Sequence, residues 1–271
     1  MKRYFAGIIF LLSIFQVCAQ ETKPVEFVIE TPFGQIEGFL YDDTPLHRDN
    51  FMKLIKEGWY EESDINKIIP GLYIQGGSNK EGKSDPEYTI PNEVKPEHIH
   101  KKGALSAAWP NSRFNYEGVS SGSQFFIVQG VDITEEFLNK IELQRAESED
   151  YKQNLAMRLF HQSTDPQLKQ KLEKAIKDRK KTDMLELVKP FEEEAKRLIE
   201  EEQIYKFSDL QRSVYLSEGG APELDGSYTV FGEITKGMDV VDKISKVKII
   251  SPDKPKDSIK ITITIKEPKE E

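Results

Sequence analysis

The stretch IIPGLYIQGG, from Ile68 to Gly77, decides how this chain folds. A short apolar run reaches a Pro-Gly pair, resumes as Leu-Tyr-Ile and ends at two glycines. Apolar runs of this length bounded by Pro and Gly predict two short strands joined by a tight turn. Gln75 interrupts the apolar pattern, and an amide among buried residues needs hydrogen-bond partners from the protein or from a bound ligand. The stretch therefore predicts a β-hairpin and makes Gln75 a candidate functional residue.

Two later stretches have a similar pattern, GSQFFIV from Gly122 to Val128 and LDGSYTVFG from Leu224 to Gly232. Together with the first stretch they resemble the cyclophilin family of peptidyl-prolyl isomerases. The resemblance covers residues 25–129 and 219–266. It implies a mainly β fold, a closed eight-stranded antiparallel barrel with flanking helices.

The local patterns around these stretches agree with such a barrel. Residues 25–41 predict two strands about a Pro-Phe-Gly turn, and Pro45 stands near the first position of a helix that Asp43 or Thr44 can cap. From Ile259 to Ile265 the sequence alternates between Ile and Lys or Thr, as a half-buried antiparallel closing strand does.

The segment between the second and third stretches has a different character. From Ile133 to Tyr215 charged residues crowd in, glycine is absent, and leucines recur at helical spacing. We assign residues 131–218 to an α-helical insertion, with proline at 166 and 190 punctuating the helices, and residues 25–130 and 219–267 to the barrel. The favoured interpretation is a solvated helical region whose apolar stripe packs on the barrel or on itself. The alternative makes that stripe a surface for unfolded proteins.

The first nineteen residues predict an export signal. Lys2 and Arg3 precede an apolar run from Tyr4 to Phe15, which is too short to span a bilayer as a permanent helix, and small residues follow. We expect cleavage after Ala19 and an exported protein, most simply in the periplasm. Lipidation at Cys18 is the alternative, although the residues before it resemble a lipoprotein signal poorly. The only cysteine lies in this leader, so the mature chain has no disulfide.

Composition excludes several classes of function. The formal net charge of −9 argues against nucleic acid, whose binding requires a basic surface. No later apolar stretch is long enough for a membrane span. The four histidines are scattered without ligand spacing, so we predict neither a metal site nor a cofactor.

The resemblance also implies roles for individual residues. Gln75 matches a glutamine that hydrogen-bonds the substrate backbone. Phe126 matches the aromatic base of the socket for the proline ring, and Leu224 matches a leucine of the socket wall. Ala108 and Gln124 match positions that line the peptide groove.

Five further site positions carry residues that vary within the family or depart from it. Leu72 stands where the family has phenylalanine, and Tyr73 stands where it often has methionine. Tyr228 stands where the family often has histidine or tyrosine. Lys67 takes the place of the catalytic arginine, and lysine lacks the rigid planar fork of the guanidinium. Trp109 replaces a small or polar residue whose backbone holds the substrate. Its indole is either ordinary packing or part of a narrowed peptide groove.

We therefore predict a peptidyl-prolyl cis-trans isomerase that assists the folding of exported proteins, with proline-containing peptides and unfolded exported proteins as its partners. The catalytic residues would be Lys67 and Gln75, with slower turnover than in relatives that have arginine. The competing hypothesis is a non-catalytic proline-peptide-binding module, or a chaperone that holds clients with the helical insertion. Position 67 discriminates between the two.

Overall fold

The computed structural model describes residues 24–83, 85–110, 115, 118–178, 180–201, 203–250 and 253–266. The predicted leader, including Cys18, lies outside the described residues.

The strands of the described chain form a closed barrel and two small two-stranded sheets. They are β1 Glu26–Thr31, β2 Gly34–Leu40, β3 Ser63–Ile69, β4 Tyr73–Gly76, β5 Thr89–Pro91, β6 Ala104–Ala107, β7 Val119–Ser121, β8 Phe125–Val128, β9 Val230–Lys236, β10 Ile249–Ile250, β11 Lys254–Pro255 and β12 Ile259–Ile265. The barrel has the order β1-β12-β3-β4-β8-β6-β9-β2, with antiparallel neighbours throughout. The predicted mainly β fold, an eight-stranded antiparallel barrel, is confirmed.

Helices flank the barrel and fill the connection between β8 and β9. They are α1 Pro45–Lys56, α2 Glu135–Glu147, α3 Glu149–Gln162, α4 Pro166–Lys177, α5 Lys181–Glu200, α6 Asp209–Glu218 and α7 Met238–Ser245, with a short 3₁₀ helix at Pro222–Leu224. No helix in the described ranges is long and apolar enough to cross a membrane.

The predicted hairpin is formed by β3 and β4. The Leu72 N–H donates to the Ile69 carbonyl at 3.0 Å across the turn, and Gly71 has a φ of +78° that glycine adopts without strain. Ile68 pairs with Ile74, and both are buried in the barrel core. Because side chains alternate along a strand, the neighbouring residues of this pair face outward.

Helix α1 is capped from a distant loop. The Thr44 side chain makes no capping hydrogen bond, so the local cap predicted from the sequence is not formed there. Instead the Glu93 carboxylate accepts from the N–H groups of Leu46 and His47 at 3.1 and 3.0 Å. The His47 ring also lies 2.7 Å from Glu93. A carboxylate satisfies the free N–H groups and complements the helix dipole, so a loop residue takes over the role of the cap.

The inserted helices form two apolar clusters. In the first, α3 and α5 pack face to face, with α4 against α5. Its buried members are Leu155, Ala156, Met157, Phe160, Val188, Ala195, Leu198 and Ile199. The predicted apolar stripe therefore packs largely within the insertion itself.

Pro190 lies inside α5, whereas the sequence predicted that it would interrupt the helices. Proline in a helix interior removes one N–H donor and crowds the preceding turn. Val188 and Ala195 lie on either side of it and are both buried in the first cluster. Packing along the whole helix thus outweighs the local cost of the proline.

The second cluster joins α2 and α6 to the barrel. It contains Ile133, Leu138, Ile141, Phe207 and Tyr215 of the insertion and Ile99 of a barrel loop. Arg212 of α6 pairs with Glu142 of α2 at 2.8 Å, which holds the two helices together.

Helix α3 docks on the barrel rim by close approach to two glycines. A Cβ on Gly118 would lie 2.5 Å from the His161 ring, and one on Gly226 would lie 2.7 Å from the Arg158 guanidinium. Both glycines have positive φ, +62° and +78°. A side chain at either position would be strained and would meet α3.

The insertion leaves and re-enters the barrel through a narrow neck. The Val131 N–H donates to the Gly220 carbonyl at 3.2 Å, and the Gly220 N–H donates back to the Val131 carbonyl at 3.0 Å. The two ends of the inserted segment are thus paired as in an antiparallel sheet.

Replacing Glu93 by glutamine tests the distant cap. Burial raises the pKa of Glu93, but hydrogen bonds from His47 and the helix N-terminus outweigh burial and leave the pKa below its ordinary value. A carboxylate of this kind stabilises the folded state above its unfolded pKa, and the effect is lost as pH falls through the folded pKa. We expect Glu93→Gln to lower the free energy of unfolding by about 1 kcal/mol near neutral pH, and by less in acid.

Urea denaturation at about pH 7 and about pH 3 measures both values. Glu97→Gln, an exposed residue of the same loop, is the matched control and should change neither. Equal losses at both pH values would contradict the cap.

Deleting α3 to α5 tests whether the first cluster is a separate unit. The two ends of this deletion lie close together, because the Arg145 guanidinium of α2 is 4.4 Å from the Phe207 ring centroid. A short Gly/Ser linker can therefore replace residues 148–205. We expect one cooperative urea transition and less helical circular dichroism. Replacing residues 133–215 by the same linker also removes the second cluster, and should lower the free energy of unfolding by at least about 2 kcal/mol more. If the larger deletion lowers the free energy of unfolding by less than the smaller one, the first cluster is not a separate unit.

Candidate active site

A row of side chains crosses the outer face of the barrel. In the strand register Lys67 of β3 lies opposite Gln75 of β4, Gln75 opposite Phe126 of β8, and Phe126 opposite Ser106 of β6. Residues paired across a sheet share one face. The register therefore brings Phe126 next to Lys67 and Gln75, which lie about fifty positions earlier in the sequence.

Gln75 is held by a hydrogen bond at one end of its amide. Its Nε2 donates to Gln124 Oε1 at 2.8 Å. Gln124 is itself fixed, because its backbone N–H donates to Ser121 Oγ and its carbonyl accepts from the Ala108 N–H. The side-chain oxygen of Gln75 has no partner among the described residues, so it is free to accept a peptide N–H.

Lys67 stands at the edge of the row as a half-buried cation. Its Nζ lies 5.7 Å from the centroid of the Tyr73 ring. No carboxylate in the described part of the chain forms a salt bridge with it. Lys67 therefore keeps its ammonium protons available for a bound group.

Five rings form an aromatic cluster beside this row. Phe126 lies 4.7 Å from Tyr73, 5.3 Å from Tyr228 and 6.0 Å from His100, measured between ring centroids, and Trp109 stacks on Tyr228 at 4.6 Å. His100 is fully buried, so the half-buried Tyr73 and Tyr228 form the outer cover.

Phe126 differs from the open socket that the resemblance implies. Its side chain is only 1% exposed. The Tyr73 ring, tilted by 36° over it, occupies a position that the family often gives to methionine. Tyr73 thus covers part of the surface that the resemblance assigns to the proline ring.

The remaining expected site residues border the same cluster. Leu72 and Leu224 pack against the apolar group that contains Phe126 and Ala108. Trp109 is packed in place, and its interpretation as part of the peptide groove stays a prediction. Its Nε1 donates to the Ser227 carbonyl at 2.9 Å, and its indole also forms one wall of a cavity.

Tyr228 is neutral over the physiological pH range. Burial, and to a lesser degree its proximity to Tyr73, raises the pKa of Tyr228 to about 12. Lys67, at the edge of the row beside the aromatic cluster, therefore supplies a positive charge that Tyr228 does not oppose.

No group of three or more His, Cys, Asp or Glu in the described ranges is arranged to hold a metal ion.

Sequence reasoning missed a buried polar network behind the cluster. Asp225 accepts from the backbone N–H of His100, lies 2.9 Å from His100 Nδ1 and accepts from the Tyr215 hydroxyl at 2.7 Å. Burial, followed by the charge of Asp225, raises the pKa of Tyr215 well above its usual range. Because Tyr215 belongs to α6, this network ties the insertion to the rear of the aromatic cluster. Asp225 adjoins Leu224 in the third stretch, which was the available signal.

Comparison with known proteins gives consistent matches. Residues 26–144 and 158–265 match the sequence model of the family described as cyclophilin type peptidyl-prolyl cis-trans isomerase/CLD. The chain is 35% identical over 102 residues to a peptidyl-prolyl cis-trans isomerase of Synechococcus elongatus. The matched residues make up 37% of this chain and 66% of that protein. It is 41% identical over 98 residues to peptidyl-prolyl cis-trans isomerase B of Bacillus subtilis, covering 35% and 64%. The chain thus matches just under two thirds of the length of either relative.

A solved structure supports the same fold. A Cryptosporidium parvum cyclophilin type peptidyl-prolyl cis-trans isomerase superposes with a TM-score of 0.52, over 91% of this chain and 99% of that chain. The sequence identity is 18%, so this likeness concerns the fold alone.

Replacing Tyr73 by methionine tests whether its ring closes the socket. Methionine is flexible and leaves the face of Phe126 at lower cost than a stacked ring. An aromatic pair contributes about 0.5–1.5 kcal/mol, so Tyr73→Met should tighten binding of a proline peptide about two- to tenfold. Peptide titration followed by NMR, alongside thermal unfolding, measures the change. Tyr205→Met in the insertion is the matched control, and unchanged affinity in folded Tyr73→Met protein would contradict the closure.

Proposed function

This chain belongs to the cyclophilin-type peptidyl-prolyl cis-trans isomerase family, and we propose that it catalyses rotation about X-Pro peptide bonds. The observation that carries the proposal is the outward row of Lys67 and Gln75 beside an aromatic cluster built on Phe126. A cation, an amide and an apolar ring surface are the three elements that such a rotation needs.

The reaction requires no nucleophile. Amide resonance sets a rotation barrier of about 18–20 kcal/mol, and the unaided exchange takes tens to hundreds of seconds. Twisting the bond removes conjugation and makes the proline nitrogen more basic. A donor aimed at that nitrogen stabilises the twisted state over both planar states, which is what lowers the barrier.

The described residues can divide this work among them. The aromatic cluster receives the proline ring once Tyr73 has moved. Gln75, fixed by Gln124, accepts a hydrogen bond from the peptide backbone and holds the residues before the proline. Lys67 supplies the positive donor, so rotation is favoured by charge and by anchoring rather than by covalent chemistry.

We also propose that the clients are unfolded exported proteins and that the protein works in the periplasm. The support is the charged start, apolar run and small residues at positions 1–19, which resemble an export signal. Anchoring through Cys18 is the alternative.

A non-catalytic proline-binding module remains the second candidate, for two specific reasons. Phe126 is covered by Tyr73, and a lysine stands where the family has arginine. The lysine weakens the donor that rotation needs, and the covered Phe126 leaves the proline ring without a fixed socket, so the aromatic cluster could hold a peptide without speeding its rotation.

Variants at position 67 test the proposal. Loss of one preorganised donor costs about 3–4 kcal/mol in other enzymes, or roughly two to three decades of rate. We expect Lys67→Ala to lower kcat/KM by up to that amount, and Lys67→Arg to raise it because the planar guanidinium is better preorganised. A protease-coupled assay on a proline peptide measures both rates, and NMR exchange spectroscopy checks them without protease.

Lys56→Ala, which removes an exposed lysine from the last turn of α1, is the control for net charge. Equal rates for wild type, Lys67→Ala and Lys67→Arg would remove Lys67 from the mechanism. A folded wild type that binds the peptide without speeding its isomerisation would favour the binding module.

A further inference from the structure

Helix α3 and the barrel rim enclose a cavity next to the aromatic cluster. Its volume is about 280 Å³. The wall nearest the cluster is the Trp109 indole, which also stacks on Tyr228. The opposite wall is α3, which contributes Asn154 and Arg158. The cavity therefore borders the candidate active site, with Trp109 as the residue that both share.

Arg158 is a cation without a counter-ion in the described structure. No described carboxylate pairs with its guanidinium, which rests against the backbone of Gly226. Burial lowers the pKa of Arg158, yet a guanidinium stays protonated at every physiological pH. A partly buried charge of this kind is costly unless something pairs with it.

A second arginine adds to the positive potential. After burial, Tyr151 raises the pKa of Arg158, and Arg145 lowers it by like charge. Both arginines line an adjoining cavity of about 220 Å³. Arg145 donates to the Pro222 carbonyl and lies over the Phe207 ring, and no described carboxylate neutralises it either.

The acidic side chains that line the two cavities are already engaged. Asp43 pairs with Lys95 at 3.3 Å, Glu93 caps α1, and Asp225 accepts hydrogen bonds at both carboxylate oxygens. None of these three carboxylates forms a salt bridge with Arg158. Among the described residues, the positive charge between α3 and the barrel is thus left to pair with an external anion.

We propose that the cavity between α3 and the barrel binds an acidic side chain of the client peptide, with Arg158 as its main partner. The inference rests on the proposed function, because it extends the peptide groove past Trp109. The insertion would then select clients that carry Asp or Glu within a few residues of the proline.

A carboxylate suits this cavity better than other groups. The planar guanidinium of arginine offers two parallel N–H donors that match the two oxygens of a carboxylate. The amide of Asn154 on the same wall supplies a further donor. The chain as a whole carries a net charge of −9, so most of its surface repels an acidic peptide and the arginines at this cavity attract it.

Paired peptides test the proposal. Peptides with a central proline carry Glu or Gln at each position within about three residues of it, and the affinity of each is measured by calorimetry at low salt. A charge-assisted hydrogen bond, discounted for partial exposure, predicts about a five- to tenfold preference for Glu at one or two adjacent positions. In Arg158→Gln the Glu/Gln ratio should fall to about one, and Arg158→Lys should keep part of it.

Lys152→Gln is the matched control, because Lys152 also lies on α3 but pairs with Glu149 at 2.7 Å. It should keep the full preference. No preference at any position, or a preference that persists in Arg158→Gln, would overturn the proposal. Equal loss in Lys152→Gln would also overturn it, since general surface charge would then be the cause. Glutarate that binds as tightly as the Glu peptide would mark a small-anion site and not a peptide subsite.

Binding and turnover are measured separately, which distinguishes this proposal from the proposed activity. A protein that prefers the Glu peptide but does not isomerise it contradicts the activity alone. A protein that isomerises both peptides with no preference contradicts the acidic subsite alone.

Discussion

The pairing register of β3, β4 and β8 is the constraint on which the rest of the site depends. Side chains alternate strictly along a strand, so this register sends Ile68 and Ile74 into the core and Lys67, Gln75 and Phe126 outward. A slip of one residue would exchange the two sets, burying an ammonium and an amide. The tight Pro-Gly turn fixes the register, and the barrel closes around it.

The helical insertion contacts the candidate site from two sides. Tyr215 reaches the rear of the aromatic cluster through Asp225 and His100, while α3 rests on Gly226 near its front. Positions on both sides of the cluster thus depend on helices that lie outside the barrel. The barrel supplies the groups proposed for rotation, and the insertion shapes their surroundings.

The sequence predicted those features that depend on short-range patterns. The hairpin, the closing strand from Ile259 to Ile265 and the inserted helices follow from periodicity and from proline and glycine placement. The site row followed from the family resemblance. The sequence did not predict contacts between distant residues. Glu93 caps a helix more than forty positions earlier, and the Tyr73 ring of β4 lies against Phe126 of β8. Such contacts carry no local signal, because tertiary packing decides them.

The paired neck at Val131 and Gly220 has a consequence for the order of folding. These two hydrogen bonds close a loop of roughly ninety residues, and the entropy of closing a flexible loop grows with the logarithm of its length. Contacts far apart in sequence also slow folding, because this entropy is lost before they form. The pairs α3–α5 and α4–α5 use much shorter separations, so they can form first and shorten the loop that remains. Barrel closure would then follow collapse of the insertion, and a chain with poorly forming inserted helices would expose unpaired barrel strands for longer.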